Sequence, residues 1–154
     1  MNKPLLIVST AAAFLFASCS NENTTNPEPV GTATIKGAVI AELDEDDDAD
    51  EPPLEKVPAG VNLFFYDDNT GALLATTQTT AEGYSVDLQV GAPRDIVIVV
   101  GDFETTVNFN VGGGDFENKK ALYNDREDFF VGNVSRGATY IQNLEINQPS
   151  ELDF

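Results

Sequence analysis

Short runs in which apolar and polar residues alternate recur through the middle of the chain. Strict alternation over a few residues is typical of strands that bury one face. Turn-forming sequences rich in Asp, Asn, Thr and Gly at 67–71 and 80–83 separate the runs. The stretch 57–90 therefore predicts a β-meander. The period-two sets of its three strands are Val61/Leu63/Phe65, Leu73/Ala75/Thr77 and Tyr84/Val86/Leu88/Val90.

The flanking sequence predicts further strands. Residues 33–41 alternate, with Ile35 and Val39 on one face and Lys36 on the other. Residues 96–100 form a continuous β-branched run, which favours a strand covered on both faces. Residues 103–111, 129–134 and 139–146 add more strands. Residues 116–128 are compatible with either a single helical turn or an extended loop. Together these segments predict an all-β antiparallel sandwich of seven or eight strands.

The first residues have the composition of an export signal. Lys3 supplies a positive start, 5–16 are apolar, and small residues precede Cys19. The apolar run is shorter than the roughly 20 residues that span a bilayer. We therefore divide the chain into a signal at 1–19, a polar tether at 20–31, a β-domain at 32–146 that contains an acidic loop at 42–56, and a fraying tail at 147–154.

The sequence FASC at 16–19 resembles the lipobox of bacterial lipoproteins, where signal peptidase II cleaves before the Cys and lipid is attached to it. The family prefers Leu at the position of Phe16. The resemblance implies acylation (palmitate) of Cys19 and a stable anchor in the outer membrane, periplasmic or surface-exposed. Residues 20–22 (SNE) are similar to surface-export signals of Bacteroidota lipoproteins. An ordinary secretory signal is the alternative.

Composition narrows the function classes. The chain has 154 residues, 26 Asp and Glu against 8 Lys and Arg, no His, and a formal charge of −18. Such a charge repels phosphate backbones, so nucleic acid is not an expected partner. Without His the commonest general base and metal ligand are missing, and we expect no enzyme. An enzyme using two carboxylates alone is the alternative.

The acidic loop is the one candidate metal site. Asp44, Asp46 and Asp48 offer the carboxylate oxygens that calcium prefers. The Gly that an EF-hand requires at its sixth position is absent when counting from Asp44 or Asp46. We therefore expect no cofactor, beyond weak calcium binding at these three residues.

A resemblance spans about half of the chain, roughly 34–109. The order Gly37, VPAGV at 57–61, DNTG at 68–71 and TTAEGY at 79–84 looks like the carboxypeptidase-regulatory-like, Cna-B and transthyretin-like domains. In those families a Thr-Asp-x-x-Gly turn precedes an aromatic residue, and here Thr80 stands at the Asp position. The resemblance implies a prealbumin-like (Ig-like) sandwich.

Two activities within those families fit this chain poorly. Transthyretin-like hydrolases depend on histidines, which are absent here. Pilin domains of the Cna-B type crosslink a Lys to an Asn, and Lys36 and Asn143 stand at suggestive positions, but Lys36 alternates away from the buried face and is expected to be solvated.

These observations favour a non-enzymatic surface lipoprotein that serves as a binding or structural module. The alternatives are an accessory glycan- or nutrient-binding lipoprotein of an outer-membrane uptake system, and a fimbrial or adhesin component completed by strand addition. Phe64 and Tyr66 lie on the outer side of the second strand of the domain, where they either stack on a ligand or pack beneath a loop. Tyr123 and Tyr140 are further stacking candidates. Expected partners are the membrane, through the anchor, and a cell-surface protein or glycan.

Overall fold

The computed structural model describes residues 28–43, 54–124, 128–146 and 151–153, the last range by its backbone only. Its regular elements are all β-strands, so the all-β prediction is confirmed. The strands are β1 (Gly31–Gly37), β2 (Val39–Ala41), β3 (Glu55–Lys56), β4 (Asn62–Asp67), β5 (Leu73–Gln78), β6 (Tyr84–Val90), β7 (Arg94–Val100), β8 (Phe103–Gly112), β9 (Asp115–Tyr123), β10 (Asp128–Val134), β11 (Thr139–Ile141), β12 (Leu144–Ile146) and β13 (Glu151–Asp153).

The strands form four sheets, with orders β11-β1-β6, β10-β7-β4-β5, β12-β2-β3 and β13-β9-β8. Most neighbours are antiparallel, as predicted. The pairs β1–β11 and β2–β12 are parallel, so segments 31–41 and 139–146 run in the same direction. Alternation in a sequence identifies the buried face of a strand but carries no information on the direction of its neighbour.

One hydrophobic core joins the sheets. Leu63 and Phe65 of β4 and Ile96 and Ile98 of β7 are completely buried. Tyr84 packs on Phe65 across the core, with ring centroids 6.1 Å apart. Full burial of such a side chain is worth about 1.5–3 kcal/mol, so this inner layer supplies much of the stability of the fold. The inward sets predicted for β4 and β6 are confirmed: Val61, Leu63, Phe65, Tyr84, Val86, Leu88 and Val90.

A break after Gly37 divides the paired segments 31–41 and 139–146 between two sheets, β11-β1-β6 and β12-β2-β3. The strand breaks after Gly37, where an added Cβ would lie 1.9 Å from the carbonyl oxygen of Gln142. Asn143 fixes the bend, since its Oδ1 accepts a hydrogen bond from the backbone N–H of Ala38 at 3.0 Å. The buried Tyr84 hydroxyl donates to the same Gln142 oxygen at 2.7 Å. The last position of β1 thus requires a residue without a side chain.

Several boundaries differ from the prediction. Residues 115–123 form β9, paired with β8 through a turn in which Gly112, Gly113 and Gly114 have φ of +107°, +71° and +88°. Both alternatives weighed for this segment are therefore wrong over β9. Most of β9 is exposed on both faces, so no alternation marked it as a strand.

The ends of the acidic loop and of the domain also differ. Glu55–Lys56 pairs with β2 as β3, within the range assigned to the loop. Glu151–Asp153 pairs with β9 as β13, within the range expected to fray. Breaks also divide 31–41 into β1 and β2 and 139–146 into β11 and β12. These breaks and the added strands raise the number of strands above the predicted seven or eight.

Candidate functional site

The outer face of the four-stranded sheet β10-β7-β4-β5 carries a row of apolar side chains. Tyr66 of β4 lies opposite Leu73 of β5 and Val97 of β7, and Val97 lies opposite Phe130 of β10. Directly opposed residues of neighbouring strands point to the same face. Leu73 is 53% exposed and Phe130 is 56% exposed, so the row is open to solvent at both ends.

A second row lies two residues along the strands. Phe64 is opposite Thr76 on one side and Val99 on the other, and Val99 is opposite Asp128. Phe64, Val97 and Val99 are half-buried, like Tyr66. We call the two rows together the aromatic face, which consists of Phe64, Tyr66, Leu73, Val97, Val99 and Phe130.

Glycines make room for two of the rings. A Cβ at Gly132 would lie 3.1 Å from Cε1 of Phe130, and one at Gly101 would lie 3.2 Å from Cε2 of Phe64. Each ring therefore extends over a backbone position that has no side chain. The rings spread across the sheet surface and cover it, as aromatic side chains do beside glycines in sheets.

A turn and a bulge set the register at one end of the row. The Asp67 carboxylate accepts hydrogen bonds from the Thr70 N–H at 2.9 Å and from its hydroxyl at 3.0 Å, closing the turn after β4. These bonds, with the Arg94 guanidinium at 3.1 Å from the other carboxylate oxygen, hold the pKa of Asp67 below its ordinary value. A shift in the β4–β5 register then brings Leu73 opposite Tyr66.

A shallow concavity of about 230 Å³ lies beside Phe64 and Tyr66 and is bordered by Asn62 and Asp102. Asn62 Oδ1 accepts a hydrogen bond from Gln78 Nε2 at 3.0 Å, which orients its amide. The site thus combines ring surfaces with amide and carboxylate groups at its border. Aromatic rings can contact the apolar face of a small molecule, and amide and carboxylate oxygens can accept hydrogen bonds from hydroxyl groups.

The structure places the predicted stacking residues in different environments. Phe64 and Tyr66 lie together on the aromatic face, whereas Leu73 and Phe130 were not among the sequence candidates for it. Tyr123 cannot stack on a ligand, because it is 4% exposed and its ring stacks on Phe103 at 4.7 Å.

The Tyr140 hydroxyl forms hydrogen bonds within the protein. Tyr140 is half-buried, and its hydroxyl donates to the carbonyl oxygen of Asn133 at 3.0 Å and accepts from the N–H of Ser135 at 3.0 Å. These two bonds brace the end of β10, so the stacking assignment for Tyr140 is not supported.

A second groove, of about 550 Å³, lies against the sheet β11-β1-β6. Lys36, Lys56, Tyr84 and Asn143 contribute to its lining. Lys36 is exposed, as predicted, and the side-chain oxygen of Asn143 is occupied at the bend. Among the lining residues only Glu82 is acidic, so this groove lacks the two carboxylates that a glycosidase uses.

The remaining candidates lie outside the described residues: Cys19 for lipidation and Asp44, Asp46 and Asp48 for calcium. Within the ranges that the structure covers, no group of three or more acidic or Cys side chains is placed to hold a metal ion.

Comparison of the sequence with models of known protein families gave no match, and a search among curated proteins gave no similar sequence. The described part of the chain contains no helix whose length and apolarity would let it cross a membrane.

Proposed function

We propose that the chain is a non-enzymatic lipoprotein of the cell envelope, anchored through Cys19, whose prealbumin-like domain is a binding module. Its ligand-binding surface is the aromatic face. The anchor rests on the lipobox-like sequence, and the prealbumin-like assignment rests on the motifs at 57–61 and 79–84. The aromatic face carries the binding proposal.

The position of the aromatic face supports this proposal. Its side chains alternate with the buried residues of the same strands, so they are not needed to fill the core. Exposed Phe130 and Leu73 stand at the two ends of a row whose middle, Val97 and Tyr66, is half-buried, so apolar groups follow one another across the outer face of the sheet. Phe130 and Leu73 leave more than half of their surface open to a ligand.

The anchor is tested by growing cells with labelled palmitate and comparing the natural chain with Cys19→Ala. We expect label on the natural chain only. Label on both chains or on neither would refute the anchor.

The binding face is tested with the purified full chain and isolated cell-envelope material. We expect saturable binding that Tyr66→Ala and Phe130→Ala weaken strongly. Phe116→Ala is the matched control, because Phe116 is also exposed, at 39%, but lies on β9. Equal binding by all four proteins would remove the aromatic face from the proposal.

A further inference from the structure

Resting on the proposed function, we infer that the ligand of the aromatic face is a neutral oligosaccharide chain that lies across the four strands. Three properties of the face select this chemistry: its dimensions, the pairing of rings with polar border groups, and its local charge.

The face on its own is smaller than the surface that a stable protein interface buries. Four strands spaced about 4.8 Å apart make each row about 14 Å long, and the two rows are separated by about 7 Å. With the width of the side chains, the area is on the order of 200–300 Å². A stable protein interface buries roughly 800 Å² on each partner. The row length instead suits a few sugar rings placed end to end.

The chemical groups suit a sugar. A pyranose ring has C–H groups on its faces and hydroxyls around its edge. The ring faces can lie on Phe64, Tyr66 and Phe130, since an aromatic face attracts polarised C–H groups. The hydroxyls can donate to the carboxylates of Asp102 and Asp128, which are pure acceptors when ionised.

Local charge then decides between neutral and anionic sugars. Asp128 stands in the second row beside Val99, and Asp102 borders the concavity. Asp95 is on the same side of β7 as Val97, two residues along the strand. Among the outward positions of the four strands, which the structure describes fully, none carries Lys or Arg.

At physiological salt, charges act over a Debye length of about 8 Å, so these nearby carboxylates influence a bound ligand more than the distant charge of the chain does. A uronic-acid chain would bring its own carboxylates against them. A neutral chain meets no such repulsion.

The test is calorimetric titration of the purified full chain with cellohexaose, xylohexaose, mannohexaose and maltohexaose as neutral probes, and with hexagalacturonate as the anionic probe. We expect saturable binding of at least one neutral probe and weaker binding of hexagalacturonate. Tyr66→Ala and Phe130→Ala should each weaken neutral binding by ~10-fold, as expected for loss of one stacked ring. Phe116→Ala should bind like the natural chain.

The outcomes separate this inference from the proposed function. If hexagalacturonate binds more tightly than every neutral probe, the inference is overturned. It is also overturned if no probe binds while the same two variants lose binding to cell-envelope material, in which case the binding face stands with another class of ligand. Dimerisation of the natural chain that Phe130→Ala abolishes would overturn it in favour of a second copy as occupant. Unchanged probe and envelope binding in both variants would overturn the inference and the proposed function together.

Discussion

One buried hydroxyl tests how the domain holds its bend together. Tyr84 is 5% exposed, and its hydroxyl donates to the carbonyl oxygen of Gln142 at 2.7 Å. Tyr84→Phe keeps the ring against Phe65 but leaves that oxygen without this donor. Loss of one partner from a buried hydrogen bond costs about 1–3 kcal/mol. We expect a comparable loss in the free energy of unfolding, and a fall in Tm of roughly 4 °C or more.

The measurement is urea unfolding of the natural chain and the variant at neutral pH, with the slope m expected to stay the same. Tyr66→Phe is the matched control, because it removes the same atom from a half-buried ring on the outer face. No hydrogen bond of that hydroxyl occurs among the described residues. The control should change the free energy of unfolding by less than ~0.5 kcal/mol.

The difference in stability between the natural chain and Tyr84→Phe has a defined pH dependence. Burial raises the pKa of Tyr84 far above its ordinary value of 10.0. Above pH 10 the unfolded chain loses the phenol proton while the folded chain keeps it, so stability falls with rising pH. The advantage of the natural chain over Tyr84→Phe should therefore be complete below pH 10 and shrink above it. Equal stability of the two proteins at neutral pH, or an advantage that grows above pH 10, would refute this reasoning.

Two other positions give further predictions. Asp67→Asn should destabilise the domain at pH 7, because the carboxylate, whose pKa is lowered by the bonds from Thr70, becomes a neutral amide. Because the pKa of the folded chain is lowered, the difference should be complete above the ordinary carboxyl pKa of about 4 and should shrink as the pH falls through the lower pKa of the folded chain, which a series of urea midpoints from pH 7 downwards would detect. Gly37→Ala places a methyl group against the Gln142 carbonyl and should lower the free energy of unfolding by at least ~1–3 kcal/mol. Gly91→Ala, with nothing within 4 Å of the added atom, is its control, and equal thermal stability of the two variants would contradict the close approach.

The sequence predicted the interior better than the surface. Alternation identified the buried positions of β4 and β6, because burial of one face imposes a period of two on the residue types. β9 lacks this period, since adjacent residues such as Glu117 and Asn118, which point to opposite faces of the strand, are both exposed. β13 is too short to show any pattern. Strands that add little to the core leave no signature of this kind.

The candidate site was predicted only within one strand. Phe64 and Tyr66 are two residues apart in β4, so their shared face follows from the chain itself. Phe130 joins them only through the register of β10 on β7 and of β7 on β4. Its neighbour Phe129 is half-buried against the core, and the sequence does not indicate which of the two adjacent rings points outward. A surface assembled from several strands depends on register, which turns and bulges set.

In the proposed function, recognition falls on the outer face of the four-stranded sheet, whereas the inner face supplies core packing, and this division makes the binding tests interpretable. Leu63, Phe65, Ile96 and Ile98 on the inner face have no measurable exposure, so truncating one of them would remove core packing. Phe130, on the outer face, already exposes more than half of its surface, and its truncation removes little buried area. Phe130→Ala should therefore leave the unfolding midpoint nearly unchanged. If it also weakens binding by ~10-fold, the loss comes from the missing contact with the ligand, because the scaffold that positions the other rings is intact.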